Sequence, residues 1–485
     1  MAIDIRLEIA ERRSRDVELH GAAQGLQLPQ SRELPVCEFL RDPGVICEVK
    51  RKYPSVSNIN LELDPVKQAG TYVERGIKSI SVLTEQNYFG GSLKDLMDIK
   101  RRSPDIAILR KDFLLSEEDV NVSYLAGADA FLLIASLLSA EQLEIMYKLG
   151  LSLGMAPLVE LHSYDDVKKA EGLNPKLVGI NSRNLKNFTI DRLQPLRIRS
   201  FINWDCRIVY ESGIKTPYDV DFVKGTGFDA VLVGEAVVRD ADFALKLVKS
   251  FDKDSPDEDF ADAVRRFGFW NRLYKNYDIT RPFVKICGIT NHEDLKLVKE
   301  LGADVAGFIL ADSPRKVSCE FIKNCSDFDI IKVGVVVLKE NEPLSDDIIE
   351  LLEEGFLDAV QFHGKELPTE FLKWPGYKAV RIKDEIAAEN VSIVPGPSVL
   401  IDAFSSEAAG GTGKRIDGKL VKKVAEKRAL WLAGGIKPEN VVEIVNDYKP
   451  QLIDISSGVE AFPGKKDADK LKALFNNLSK TVISF

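Results

Sequence analysis

The sequence predicts an α/β protein of two consecutive (β/α)8 TIM barrels, the first carrying an N-terminal helical extension. Three observations predict it. Short apolar, β-branched runs recur in two sets of eight. One charged, aromatic stretch interrupts the rhythm between the sets. Polar residues cluster at the C-terminal end of nearly every run. Strand, helix and strand at this spacing make parallel βαβ units, and eight units close a barrel whose active site lies at the C-terminal strand ends. A doubly wound sheet would alternate in the same way. The count of eight and the polar strand ends favour barrels.

The first eight runs begin at Val45, Ser79, Ile106, Ala130, Ala156, Leu177, Cys206 and Ala230. The stretches between them, such as SEEDVNVSYLAGA, open with Ser and acidic residues as helix N-termini do. Ser250–Arg281 is charged and aromatic and reads as a helical connector. The second eight runs begin at Phe283, Val305, Ile330, Ala359, Tyr377, Ser398, Ala429 and Leu452. The expected organisation is therefore a barrel with its extension over 1–254, a connector over 255–281 and a second barrel over 282–485. The segment before residue 45 is amphipathic and is expected to lay helices across the first barrel mouth.

Composition narrows the function. A chain of 485 residues exceeds one ordinary core, and two large domains are expected. A net charge of −9 with no large basic stretch argues against a nucleic-acid partner. Cys37, Cys47, Cys206, Cys287, Cys319 and Cys325 form no CxxC pair, and four scattered histidines do not suggest a zinc site. The N-terminus is charged throughout and no run of about 18 apolar residues occurs, so a cytoplasmic protein is expected, with no membrane partner.

The strand ends carry the chemistry. In the first set these are Glu48 and Lys50, Lys111, Glu160, Asn181 and Arg183, then Glu211 and Ser212. Lysines and glutamates around one mouth spread each other's pKa values and divide acid from base. A solvated ring of salt bridges is the plainer reading for any one of them, but not for all at strand ends. Gly213 and Gly234 end strands seven and eight, where backbone N–H groups approach an anion. The second set repeats this with Gly434, Gly435, Ser457 and Gly458. There Cys287 ends strand one and Asp402 ends strand six, a thiol and a carboxyl suited to a metal-free proton shuttle on a sugar. His363 ends strand four, and EAAGGTGKRID after Asp402 is Gly-rich enough for a lid or phosphate loop without being a Walker A motif.

Residues 45–250 resemble indole-3-glycerol-phosphate synthases through EVK, SVLTE, FGGS, LRKDF, LVE, GINSRNL, ESGI and VGEA. Residues 283–485 resemble phosphoribosylanthranilate isomerases through KICGIT, SPR, QFHG, IDAF, GGTGK, LAGGI, DISSGVE and PGKKD. The resemblance implies Lys111 as the synthase's general acid and Glu160 as its base. It implies Lys50 near the substrate carboxylate, with Glu48 and Asn181 supporting. It implies Cys287 as the isomerase's base, Asp402 as its acid and Arg315 on the anthranilate carboxylate. Expected substrate contacts are Phe113, Arg183, Glu211, Ser212, Gly213, Gly234 and Glu235 in one barrel. In the other they are Arg315, His363, Gly410, Gly411, Gly434, Gly435, Asp454, Ser457 and Gly458. The family's Ser-Pro-Ser segment and nearby Gly are replaced here by KYPSVSN, with Tyr53 and Ser57 at the changed positions, so the contacts of that loop do not carry over.

The resemblance implies two steps of tryptophan biosynthesis. An Amadori rearrangement of N-(5-phosphoribosyl)anthranilate in the second barrel is followed by decarboxylating, dehydrating ring closure in the first. No cofactor is implied, the partners are phosphorylated small molecules, and nothing requires more than a monomer. Two alternatives stay open: a Schiff-base aldolase using Lys111 as nucleophile, and one barrel serving only as a scaffold for the other.

Overall fold

The computed structural model describes residues 5–42, 44–51, 64–184, 189–240, 242–251, 258–275, 277–339, 342–364, 372–403 and 418–481. Tyr53, Ser57, Gly410 and Gly411 lie outside them.

The first unit is a closed parallel barrel of β1 (Val45–Val49), β2 (Ser79–Leu83), β3 (Ala107–Lys111), β4 (Ala130–Ile134), β5 (Ala156–Leu161), β6 (Leu177–Asn181), β7 (Arg207–Glu211) and β8 (Ala230–Val233). It closes by pairing Val45 with Val231. The second unit closes in the same way from β9 (Phe283–Cys287), β10 (Val305–Ile309), β11 (Ile331–Val337), β12 (Ala359–His363), β13 (Gly376–Ile382), β14 (Val399–Ala403), β15 (Trp431–Ala433) and β16 (Leu452–Ile455). A short hairpin of β17 (Glu460–Phe462) and β18 (Lys465–Lys466) follows. Each strand starts within two residues of its apolar run.

Alternation along the strands decides what enters each lumen, because successive side chains point to opposite faces. Ile46, Leu109, Leu158, Leu177, Val209 and Leu232 belong to one buried cluster that fills the first lumen. Two residues on in the same phase come Glu48, Lys111, Glu160, Glu211 and Gly234, and four on from Leu177 comes Asn181. The mouth chemistry is thus the top layer of the barrel's own packing. The opposite phase faces the helices. Arg110 is fully buried there, donating to Asp112 (3.0 Å), Ser123 Oγ (3.1 Å) and the Asp119 carbonyl (3.2 Å). Helices start where capping boxes stop the loops, as at Ser116 with Asp119 and Thr216 with Asp219.

The N-terminal extension does two jobs rather than one. The helix Ile5–His20 lies at the mouth, where Arg6 donates to Ser136 (3.0 Å) and Arg13 pairs with Asp119 (2.7 Å). The chain then runs to the opposite end of the barrel. Arg32 pairs with Asp129 (2.7 Å) ahead of β4, and the Leu40 N–H donates to Ser79 at the start of β2 (3.0 Å). Ile9 and the pair Phe39 and Leu40 belong to the lumen cluster, so the extension closes that cluster from both ends.

The chain divides into compact units at Ala261 and Asp262. The helix Glu258–Tyr274, inside the expected connector, serves the second barrel as a floor. Trp270 packs on Trp431 (5.4 Å) and Tyr377 (6.5 Å), and Tyr274 on Phe283 (5.2 Å); all three partners sit where strands begin. Arg272 pairs with Asp358 (2.5 Å) and Asp329 (2.8 Å) beside the starts of β12 and β11. Trp270→Ala should therefore destabilise the second unit by about 3–5 kcal/mol, the usual cost of emptying a buried indole site. A denaturant melt of the full chain followed by circular dichroism would show the second unit's transition at lower denaturant. An unmoved melt would contradict the role of the floor.

Candidate active sites in the two barrel mouths

The first mouth is a cavity lined by Glu48, Lys50, Lys111, Phe113, Glu160, Asn181, Arg183, Ser212, Gly213, Gly234 and Glu235. Every expected first-barrel site residue except Glu211 is in that lining. Glu211, in the same layer, is fully buried, with its carboxylate on Lys111 (2.5 Å). It acts on the cavity through Lys111 and through the neighbouring Glu160. Gly179 makes room for it, since a Cβ there would come within 2.1 Å of Glu211 Oε1.

Charge is arranged around Lys111. Its ammonium lies 2.5 Å from Glu211 and 3.7 Å from Glu160. Burial alone would pull its pKa down, but Glu211, Glu160 and Glu48 together push it above the ordinary lysine value. Lys111 is therefore protonated at rest, which suits a proton donor and disfavours an amine nucleophile. Burial pushes Glu160 up, yet His162, 2.5 Å away, and then Lys111 hold it well below the usual carboxylate range. Glu211 goes the other way, raised by burial and by the nearby Glu160 charge. Two carboxylates share one lysine, so one stays ionised and the other takes a proton readily. Glu48 is ion-paired with Lys50, and that pairing outweighs burial and keeps its pKa low.

The loop after β7 is built for close approach. Ser212 and Gly213 both have positive φ, +69° and +78°. A non-glycine residue in that region stores strain, a mark of functional loops. Glu235 is paired with Arg239 (2.7 Å), which offsets its charge at the cavity rim. The N-terminal helix expected across this mouth roofs it, joined by a loop that strand-end reasoning did not single out. Ile5, Arg6 and Ile9 from the N-terminal helix, with Tyr88 and Phe89, line the same cavity. Glu85 shapes that loop by accepting the N–H groups of Asn87 (2.9 Å), Tyr88 (2.7 Å) and Phe89 (3.0 Å).

The second mouth brings Cys287, Arg315, His363, Asp402, Gly434, Gly435, Asp454, Ser457 and Gly458 into one cavity. These are all the second-barrel site residues expected from sequence that the described residues include. The loops after β15 and β16 touch because position 458 is glycine: a Cβ there would come within 1.9 Å of the Ile436 carbonyl. Arg315 donates Nε to Glu460 Oε1 (2.9 Å) and Nη2 to Oε2 (2.8 Å). Glu460 also pairs with Lys466 (3.0 Å), whose Nζ donates to the Cys287 carbonyl (2.6 Å). The β17–β18 hairpin thereby braces both the arginine and the thiol-bearing strand end.

Beneath this cavity the lumen is polar. Lys285 donates to Asp454 Oδ2 (2.7 Å) and Gln361 Oε1 (2.8 Å), and Tyr377 Oη donates to the same Gln361 oxygen (3.0 Å). Two donors on that oxygen fix the amide's orientation, so Gln361 Nε2 donates to His363 Nε2 (2.8 Å). His363 must accept there and carry its proton on Nδ1. Burial, then the charges of Lys285 and Arg381, lower its pKa to about 4, so the ring is neutral at neutral pH. Burial raises the Cys287 thiol pKa, Lys285 and Lys466 oppose it, and the balance is upward. Lys285 could have been found by counting back two residues from Cys287 along the inward face. Glu460 and Lys466 lie past the last barrel strand, where strand-end reasoning does not look.

Comparison with known proteins follows this division. Residues 5–250 match the family profile described as indole-3-glycerol phosphate synthase, and residues 284–477 that of N-(5'phosphoribosyl)anthranilate (PRA) isomerase. A multifunctional tryptophan biosynthesis protein of Schizosaccharomyces pombe is 33% identical over 90% of this chain and 59% of its own length. A tryptophan biosynthesis protein of Phytophthora nicotianae is 30% identical over 86% of this chain and 88% of its own. An indole-3-glycerol phosphate synthase of Dehalococcoides mccartyi is 41% identical over 43% of this chain and 82% of its own. The chain spans 59%, 62% and 63% of the length of three multifunctional relatives that it matches.

Proposed function

Since the chain belongs to the indole-3-glycerol phosphate synthase family over its first barrel and to the PRA isomerase family over its second, we propose that it catalyses two consecutive steps of tryptophan biosynthesis. The second barrel converts N-(5-phosphoribosyl)anthranilate to the carboxyphenylamino-deoxyribulose phosphate. The first closes the indole ring of that product with loss of carbon dioxide and water. The order of barrels in the chain is thus the reverse of the order of reactions.

The observation that carries this reading is that each mouth lines its own cavity with a pair of titratable groups, Lys111 with Glu160 in one and Cys287 with Asp402 in the other. In the second barrel Asp402 protonates the ribose ring oxygen, which opens the sugar. Cys287 takes the proton from the neighbouring carbon, and the resulting enolamine becomes the ketone. Arg315, aimed by Glu460, takes the anthranilate carboxylate, with His363 and Asp454 on the sugar. In the first barrel Lys111 protonates the ketone oxygen as the aromatic carbon attacks, with Lys50 on the departing carboxylate. Carbon dioxide leaves and restores the benzene ring; the new hydroxyl then departs as water with a second proton drawn from solvent through Lys111, while Glu160 removes the proton from the adjacent position and completes the indole. Lys111 and Glu160 are 3.7 Å apart, close enough to pass a proton back and reset the pair. Glu48 and Asn181 support Lys50 in this scheme. The protonated Lys111 argues for an acid rather than for the Schiff-base nucleophile of an aldolase. The phosphate of each substrate takes the glycine loops after the seventh and eighth strands, at Ser212, Gly213 and Gly234 in one barrel and Gly434, Gly435, Ser457 and Gly458 in the other. A cytoplasmic location fits this role, and no helix among the described residues is long and apolar enough to cross a membrane.

The test is a pair of separate assays, one for each step, on the full chain and on two pieces cut near Ser255. A cut there leaves the floor helix Glu258–Tyr274 with the second barrel. Residues 1–254 should close the ring and residues 255–485 should isomerise. A folded piece inactive until mixed with the other would sink the assignment of one complete site to each barrel.

A further inference from the structure

The second lumen holds a charged group that the reaction above leaves idle. Lys285 is fully buried and does not line the cavity, so it does not touch substrate. Its ammonium is anchored by Asp454 (2.7 Å) and Gln361 (2.8 Å). Burying an ammonium is costly even when it is paired, and apolar replacement of such pairs is often neutral or stabilising. Stability alone therefore gives little reason for this lysine to be inside a barrel. Cys287 is two residues further along the same strand, on the same inward face. Its sulfur packs against Gly307 of β10, where an added Cβ would come within 2.8 Å of it. The thiol sits above the ammonium, at the cavity lining.

We propose that Lys285 is a positioning residue for Cys287, its anchored ammonium supplying the counter-charge that lets the buried thiol ionise to the thiolate that accepts the substrate proton. This rests on reading Cys287 as the isomerase base. Around the sulfur and its lysine stand Asp454, Lys466, Arg315, Asp402, His363 and Tyr377, whose hydroxyl donates to Gln361 (3.0 Å). Asp454 opposes ionisation from the same layer as Lys285. Lys466 reaches the Cys287 backbone carbonyl (2.6 Å) and is paired with Glu460 (3.0 Å), as is Arg315 (2.8 Å). Asp402 and His363 share the cavity, and His363 is neutral at neutral pH. Lys285 is the strongest of the influences that favour the thiolate, and burial the strongest against it.

The test reads the thiolate directly. The full chain is treated with iodoacetamide across a pH series, and alkylation of the peptide containing Cys287 is followed by mass spectrometry. Only the thiolate attacks, and iodide leaves as the sulfur–carbon bond forms. Lys285→Met should move the pH midpoint upward and slow alkylation near neutrality about tenfold, the change in thiolate fraction for one pH unit. Asp454→Asn should move the midpoint the other way, because it removes the opposing charge and leaves Lys285 in place. A purely structural role for Lys285 would not give opposite signs. An unmoved or lowered midpoint in Lys285→Met overturns the proposal. If that variant does not fold, an unmoved or raised midpoint in Asp454→Asn overturns it. Isomerase activity of Cys287→Ser is measured alongside. Activity retained there would remove Cys287 as the base, while the midpoints would still decide what Lys285 does to the thiol.

Discussion

Lys111→Met should lose ring closure by about 10²–10⁴-fold, the usual worth of one positioned proton-transfer partner, and keep the isomerase rate of the parent chain. Methionine preserves most of the length and volume of the side chain, so the mouth should stay packed. What disappears is the charge that Glu211, 2.5 Å away, and Glu160, 3.7 Å away, both face. Without it two buried carboxylates confront each other, and each binds a proton more readily. Glu211, already raised by burial, takes that proton first, while His162 remains the strongest influence holding Glu160 low, so the substitution removes the acid and leaves the base in place. Glu160→Gln should give a comparable loss. The double variant should be little worse than either single variant, because groups that act as a unit are not additive. Steady-state assays of both steps on each variant check this. Near-normal ring closure in Lys111→Met would remove the lysine from the mechanism.

The same cluster shows how far the sequence could be read. The strand starts were legible because apolar, β-branched runs of the right length recur, and Glu48, Lys111 and Glu160 continue their inward phase. Glu211 was legible as a site residue but not as a buried one, since a strand-end position does not say which side chain its neighbours cover. Lys285 and Gln361 sit inside runs that read as hydrophobic strands, and only the inward phase of Cys287 and His363 points to them. Their partners come from strands distant in sequence, and spacing along one strand cannot reveal a pairing across a lumen. The roof of Ile5 and Ile9 was foreshadowed as an amphipathic extension laying helices across the mouth. The return of that extension to the far end of the barrel was not, because Arg32 and Leu40 make tertiary contacts with no local pattern. The connector's aromatics were visible, but the side on which they pack is a property of the fold. Only the structure places Trp270 on Trp431 and Tyr377.

Cys287→Ser should abolish isomerisation by a similar factor, about 10²–10⁴-fold, and leave ring closure from its own substrate intact. The two residues differ by one atom, so packing against Gly307 is nearly preserved. The hydroxyl is a far weaker acid than the thiol, and Lys285 cannot bring it within reach of neutral pH. Asp402→Asn keeps the shape of the acid and removes its proton, so it should match the serine variant in the isomerase assay. The direction of the thiol's shift adds a pH signature. Burial raises its pKa, and a base must be deprotonated to work, so the parent enzyme's isomerase rate should still be climbing as pH rises above neutrality. That limb should be absent from any residual activity in Cys287→Ser, because the group that titrates has gone. The experiment is a pH series of isomerase rates on parent, Cys287→Ser and Asp402→Asn, with ring closure measured on the same preparations. A serine variant retaining both the rate and the climbing limb would assign the base to another group in that mouth. Loss of ring closure together with isomerisation would mean that the two barrels do not work independently.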